Sequence, residues 1–167
     1  MHPAMLKKKM NSSCKLITAK EFARKYPEKR LRPKTVFTNG CFDILHRGHI
    51  DYLERAASLG TMLIVGLNSD DSIKRIKGDS RPVNTEQDRA LVLAALHCVA
   101  HVIIFAEDTP LALINTLIPD VLVKGGDWPV NKIIGKETVE TAGGQVLSLD
   151  LLPGYSTSNL ITRIKNG

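Results

Sequence analysis

Two histidines three residues apart, His46 and His49, close the run Thr38-Asn39-Gly40-Cys41-Phe42-Asp43-Ile44-Leu45-His46-Arg47-Gly48-His49. Paired imidazoles at this spacing can bind and polarise a phosphate, supplying donors where negative charge develops. Gly40 lets backbone approach a ligand, and Gly48 leaves room beside one. If the run passes from a strand into a helix, the free N–H groups at the helix start favour the same anion. The spacing also occurs as half of a metal site, and a loop histidine is often structural. The glycines and the strand-to-helix setting favour phosphate chemistry.

Three further runs carry groups suited to a phosphorylated ligand. Gly154-Tyr155-Ser156-Thr157-Ser158, with Arg163 five residues on, places hydroxyls and free N–H groups at a helix start, although Ser and Thr are also ordinary helix caps. Lys74-Arg75-Ile76-Lys77-Gly78-Asp79-Ser80-Arg81-Pro82 sets cations around a glycine hinge. Such a loop can close over anionic substrates, bringing Lys77 and Arg81 to them, or remain a solvated charge run. In Val123-Lys124-Gly125-Gly126-Asp127-Trp128, Lys124 is placed to meet a phosphate and Asp127 to bind hydroxyls or a metal. Trp128 is placed to stack on a ligand or to cover the core.

These runs need a scaffold that gathers them, and the hydrophobic periodicity supplies one. Strands are predicted at 35–38, 62–67, 102–105, 121–123 and 145–149. Helices are predicted at 49–59, near 72–76, from an Asn84 cap through Leu96, from Asp108 or Thr109 to Ile118, at 136–142, and from Ser156 or Thr157 onward. Thr18 and Glu21 have capping-box spacing for a short helix reaching Tyr26. Strand and helix alternate at least five times, which predicts an α/β fold: a Rossmann-like open sheet of about five parallel strands with helices on both faces. In such sheets ligands bind at the carboxyl ends of the strands, where the histidine and Lys124 runs both fall.

The chain has 167 residues, 43% hydrophobic and 24% charged, enough for one domain with a real core. Disordered and collagenous classes are excluded by composition. Cys14, Cys41 and Cys98 are odd in number and form no C-x-x-C pair, which removes a disulfide framework and fits a reducing, cytoplasmic setting. The net charge of +6 is uneven: residues 1–34 hold 11 basic residues against Glu21 and Glu28, and the remainder carries a net −3. The division expected is a basic, unstructured extension over 1–15 and a folded domain over 16–167. Ala4-Met5-Leu6 falls short of the roughly 7–15-residue apolar region of a secretory leader. The stretch Ala90–Ala106 falls short of the roughly 20 residues of a spanning helix. No membrane partner is expected.

The segment GCFDILHRGH resembles the signature of the nucleotidyltransferase superfamily that carries the H-x-G-H motif. Together with NSDDSIKRIKGDSRPVN, VKGGDW and GYSTS, it is similar to the D-glycero-β-D-manno-heptose 1-phosphate adenylyltransferases over roughly residues 16–166. The resemblance implies transfer of AMP from ATP to heptose 1-phosphate, giving ADP-heptose and pyrophosphate, with Mg²⁺ carried on the ATP phosphates and no metal held by protein ligands alone. It implies catalytic roles for His46, His49, Lys77 and Arg89, the last matching an arginine that the superfamily points at its active site. A nucleotide-binding set of Asn39, Gly40, Cys41, Phe42, Gly48, Lys124, Gly154, Tyr155, Ser156, Thr157 and Ser158 follows, as does a sugar-phosphate set of Asp43, Arg81, Gly125, Asp127 and Trp128. Homo-oligomers, dimers or larger, are implied too. The domain often forms the C-terminal half of a fused heptose kinase; these residues include no kinase half, so a stand-alone enzyme is expected.

A cytidylyltransferase acting on a polyol phosphate is the neighbouring possibility. Those enzymes have R-T-E-G-I-S-T where this chain has Leu151-Leu152-Pro153-Gly154-Tyr155-Ser156-Thr157, and the missing Arg and Thr disfavour CTP. A nucleic-acid module, suggested by the basic arm, is disfavoured because Phe22 and Tyr26 are its only aromatic residues for base stacking. No nucleic-acid partner is expected.

Overall fold

The computed structural model describes residues 11–126 and 128–167. Five β-branched, apolar runs form strands β1 (Thr35–Gly40), β2 (Met62–Asn68), β3 (His101–Phe105), β4 (Val121–Gly125) and β5 (Gln145–Leu149). They make one parallel sheet in the order β3-β2-β1-β4-β5. β1 is central, and the chain leaves it in opposite directions through β2 and β4. A crevice therefore opens at the carboxyl ends of β1 and β4, the switch point where such sheets receive ligands.

The two-residue period of the strands divides the core in two. Val36, Leu63, Val65, Val102, Val121 and Val123 face one side, where they meet Leu53 and Ala56 of α2 (Arg47–Ala57) and Ala90, Leu93 and Ala94 of α4 (Glu86–Ala95). Phe37, Ile64, Ile103 and Leu122 face the other, against Phe22 of α1 (Ala19–Lys25), Leu113 and Leu117 of α5 (Leu111–Leu117), and Val139 of α6 (Lys136–Thr141). Burial on both faces is why the strands read as continuous apolar runs. Two helices border the crevice: α3 (Asp70–Lys77), and α7 (Thr157–Asn166), which has no buried residue.

Several helix starts differ from the expected ones. Thr85, not Asn84, caps α4: its hydroxyl oxygen accepts from the Asp88 N–H at 3.3 Å and donates to Asp88 Oδ2 at 2.8 Å. Asn84 is drawn away because its own N–H and side-chain amide both donate to Asp43. At α5 the capping position falls to Pro110, with no side-chain cap, while Asp108 accepts from Arg75 Nε at 2.7 Å. α3 begins at Asp70, earlier than expected, because the Ser69 side chain accepts from the Ser72 N–H. The Thr18–Glu21 capping box of α1 is present as expected.

A domain boundary at residue 15 would leave Asn11–Lys15 outside the domain, yet Ser12–Lys15 form a 3-10 turn capped by Asn11. Residues 1–10 of the expected extension lie outside the described residues. Leu16 then pairs in parallel with Val102 and the Ile17 N–H donates to Val102 O at 3.1 Å, covering part of the otherwise open edge of β3. Three cations of this segment reach helix C-termini. Lys15 Nζ donates to Leu96 O at the end of α4 (2.9 Å), Arg32 Nη2 to Ile118 O at the end of α5, and Lys29 Nζ to Ala142 O at the end of α6 (3.1 Å). Each supplies a donor and a positive charge where unpaired carbonyls concentrate negative potential. Part of the basic N-terminal charge is therefore used within the fold.

Candidate active site

β1 ends at Gly40, where a Cβ would lie 3.0 Å from the ring of Phe42, so glycine leaves that ring room to fold back over the strand end without a tight contact. Phe42 itself takes a left-handed backbone with φ 43°. The chain enters α2 with His46 at the capping position in extended conformation, its side chain making no cap bond. The ring is thereby free to stack on His49: the centroids lie 3.8 Å apart with planes 22° apart. On its other side His49 meets the Phe42 ring edge-on at 5.4 Å. Gly48 explains the space between the histidines, since a Cβ there would lie 2.9 Å from Tyr155 Cβ and 3.1 Å from the His46 ring.

These groups border a cleft of about 420 Å³ at the carboxyl edge of β1 and β4. Asn39, Gly40, Cys41, Phe42, Asp43, His46, Gly48 and His49 line one side. Tyr155, Ser156, Thr157 and Ser158 approach from the start of α7, Lys124 and Gly125 from β4, and Lys77 and Arg81 from the end of α3 and the following loop. The Ser156 hydroxyl caps α7 by accepting from the Asn159 N–H at 3.1 Å. Gly154 and Arg163 lie in an adjoining groove that shares His46, Tyr155 and Ser156 with the cleft.

The electrostatics suit an anion. Burial, then the neighbouring His46 and Lys77, pull the His49 pKa down to about 4, and burial lowers His46 as well. Both rings are therefore neutral at pH 7, and Nδ1 of each is buried without a partner among the described residues. Lys124 Nζ donates to Asn39 Oδ1 at 3.2 Å and lies 5.9 Å from the Trp128 ring centroid; burial lowers its pKa. No described carboxylate pairs with it, so a ligand anion would be its first full counter-charge.

Asp43 and Arg81 line the cleft bound to each other, whereas Arg89 and Trp128 stand outside its lining. Asp43 is buried at the cleft edge and its carboxylate is fully engaged: it accepts from Arg81 Nε at 2.7 Å, from the Val83 N–H at 2.9 Å and from the Asn84 N–H at 2.9 Å. Burial pushes its carboxyl up, but the Asn84 and Val83 amides and Arg81 outweigh that and hold it below the usual range. Arg81 is thus tied to Asp43 as an ion pair. Arg89 does not line the cleft; it is 2% exposed, and its guanidinium is surrounded by protein acceptors beneath the floor. Trp128 is half exposed and outside the lining, and Asp127 lies outside the described residues.

Three lining residues were not anticipated: Tyr52, Leu151 and Leu152. Tyr52 sits one helical turn beyond His49, and its hydroxyl shares a 2.6 Å hydrogen bond with Thr38 and donates to Val123 O at 3.3 Å. Burial pushes its pKa up to about 12. It ties α2 to β1 and β4 directly under the cleft. The two leucines follow β5 at the same carboxyl edge as the other ligand segments, a position that the strand-end rule identifies. They give the cleft an apolar wall.

Among the described residues no group of three His, Cys, Asp or Glu side chains could hold a metal ion. No helix of the described residues is long and apolar enough to cross a membrane.

Residues 37–163 match the model of the cytidylyltransferase-like family. A bifunctional protein HldE of Syntrophotalea carbinolica is 50% identical over 165 residues, 98% of this chain and 34% of that protein. A bifunctional protein HldE of Helicobacter hepaticus is 56% identical over 132 residues, 79% of this chain and 27% of that protein. The chain thus spans about a third of the length of the curated relatives it matches. Among solved structures, a lipopolysaccharide core biosynthesis protein from Thermoplasma volcanium superimposes with TM-score 0.58 at 28% identity, over 72% of this chain and 98% of that one. A pantoate-beta-alanine ligase from Francisella tularensis, 15% identical with TM-score 0.58 over 90% of this chain and 76% of that one, shares the fold.

Proposed function

Since the chain belongs to the cytidylyltransferase-like family, we propose that it is a nucleotidyltransferase moving AMP from ATP onto D-glycero-β-D-manno-heptose 1-phosphate, in the synthesis of heptose-containing glycans such as the lipopolysaccharide core. The observation that carries this reading is the convergence of His46, His49, Lys77, Lys124 and the start of α7 on one cleft. A phosphate oxygen of the sugar attacks the α-phosphorus of ATP. The bond from that phosphorus to the bridging oxygen breaks, and pyrophosphate leaves with the electron pair.

Such a displacement asks the protein for alignment and for neutralisation of developing charge. His46 and His49, held neutral and stacked, present N–H donors to the reacting phosphate. The N–H groups and hydroxyls at the start of α7 receive the outer phosphates, and Lys77 adds charge from the end of α3. Lys124, without a carboxylate partner among the described residues, meets an anionic oxygen of the nucleotide. Asp43 and Arg81 shape the sugar-phosphate side as a pair, and Gly125 keeps the wall low there.

Mg²⁺ fits as a companion of the triphosphate. The only described carboxylate lining the cleft, that of Asp43, is already occupied by Arg81, Val83 and Asn84. When bound, the ion would neutralise phosphate charge. ATP is favoured over CTP because Leu151 and Leu152 present apolar surface in place of the Arg and Thr of the cytidylyltransferase pattern.

Purified protein given ATP, Mg²⁺ and heptose 1-phosphate should release pyrophosphate and form ADP-heptose. Faster turnover with CTP, or no pyrophosphate release with the heptose phosphate, would overturn the assignment.

A further inference from the structure

Arg89 is among the largest fully buried side chains of the protein, and its position makes contact with a nucleotide in the cleft indirect. Nη1 donates to Cys41 O at 2.6 Å, Nη2 to Asn68 O at 2.9 Å and to Asp70 Oδ1 at 2.7 Å, and Nε to Asn84 O at 3.0 Å. Those acceptors belong to the turn after β1, the last residue of β2, the first turn of α3 and the residue before the α4 cap. One planar guanidinium thus joins segments that border the nucleotide side of the cleft.

The bond to Cys41 has a directional consequence. The peptide between Cys41 and Phe42 is trans, as the only cis bond among the described residues joins Arg81 to Pro82. In a trans peptide the C=O and the following N–H point in opposite directions. With the Cys41 carbonyl drawn under the floor to Arg89, the Phe42 N–H points the other way, toward the side where Cys41 and Phe42 line the cleft. That N–H meets no acceptor among the described residues. Phe42's left-handed φ of 43°, costly for a side-chain-bearing residue, is the local conformation that lets this turn form.

We propose that Arg89 is a positioning residue that turns the Cys41–Phe42 peptide so that the Phe42 N–H donates to a phosphate oxygen of the bound nucleotide. The inference rests on the nucleotidyl-transfer reading above and replaces direct substrate contact by Arg89 with an effect through one peptide plane. A preset backbone donor aimed at developing charge needs no reorganisation during the reaction.

The experiment is amide NMR of the wild-type protein with and without α,β-methylene ATP and Mg²⁺, paired with steady-state kinetics of Arg89→Lys. The Phe42 amide proton should move strongly downfield on nucleotide binding. Arg89→Lys, which keeps the charge but loses the planar fork, should lower kcat by about 10- to 100-fold, the scale of a weakened oxyanion donor, with KM for the sugar phosphate changed less than about threefold. The Phe42 shift should shrink in the same variant. A wild-type Phe42 amide unmoved by bound nucleotide overturns the proposal even if the variant fails to fold. Unchanged kcat in a folded Arg89→Lys protein overturns it as well. Failure of the wild type to bind the nucleotide or release pyrophosphate would instead refute the functional reading beneath it.

Discussion

His46 and His49 stack with ring centroids 3.8 Å apart, a separation at which two positive charges would repel strongly. The pair is therefore set to be neutral until an anion arrives. It combines two imidazole donors, one from the cap and one from the first turn of α2, above the unpaired N–H groups of the same helix.

Replacing one ring should cost catalysis far more than stability. His46 makes no cap bond, so His46→Ala removes little that holds the fold. Pyrophosphate release should fall by about 100-fold or more, with an unchanged far-UV circular dichroism spectrum. Near wild-type turnover would exclude His46 from the reaction.

Binding of a triphosphate should take up protons in mildly acidic solution. The His49 pKa is about 4 in the free protein and His46 is lowered too, and phosphate next to either ring raises it. Calorimetry at pH 6 in buffers of different ionisation enthalpy should report net proton uptake. Equal heats in all buffers would show that the rings do not face the phosphates.

The same depressed values govern stability. A histidine with a folded pKa of about 4 against an unfolded one near 6.5 binds fewer protons when folded, so its contribution is complete above pH 6.5 and lost as pH falls toward 4. His101, lowered first by burial, acts in the same sense. The melting temperature should drop between pH 7 and pH 4.5, and His49→Asn should flatten that slope.

Gly48→Ala places a methyl 2.9 Å from Tyr155 Cβ and 3.1 Å from the His46 ring. The ring stack and the approach of Tyr155 cannot both persist. Turnover should fall at least about tenfold, the penalty expected for displaced catalytic groups. Full activity would show that α7 yields freely.

Asp43→Asn keeps the shape but removes the charge that Arg81 and two backbone amides share. Breaking a buried pair of this kind costs about 3 kcal/mol. Hydrogen exchange should accelerate at Val83 and Asn84, and the melting temperature should fall. Unaltered exchange there would mean that the loop is held by other contacts.

The sequence exposed the fold well because the strand signals are local: β5 was expected at its observed bounds, and the histidine run declared its own strand-to-helix crossing. Side-chain destinations across the chain were harder to read. Asn84 and Thr85 both suit a helix cap, and only Asp43, forty-one residues earlier, decides between them. Arg89 was assigned to the ligand on its resemblance, whereas its acceptors are the carbonyls of Cys41, Asn68 and Asn84 and the carboxylate of Asp70. Tyr52 carries no motif, and Leu151 and Leu152 depart from the one they align with; they reach the cleft because α2 begins, and the chain leaves β5, at the same sheet edge.

The cleft is joined from parts of unequal tenacity. Its histidine side is anchored by α2 and the central strand, whose residues lie deep in the core, whereas its α7 side belongs to a helix with no buried residue. The last helix can therefore detach in a local opening that leaves the sheet intact. Such opening would dismantle the phosphate end of the cleft while most of the protein stayed native. Inactivation by mild denaturant would then precede global unfolding, and nucleotide would act as the clasp that keeps the chain's final helix in place.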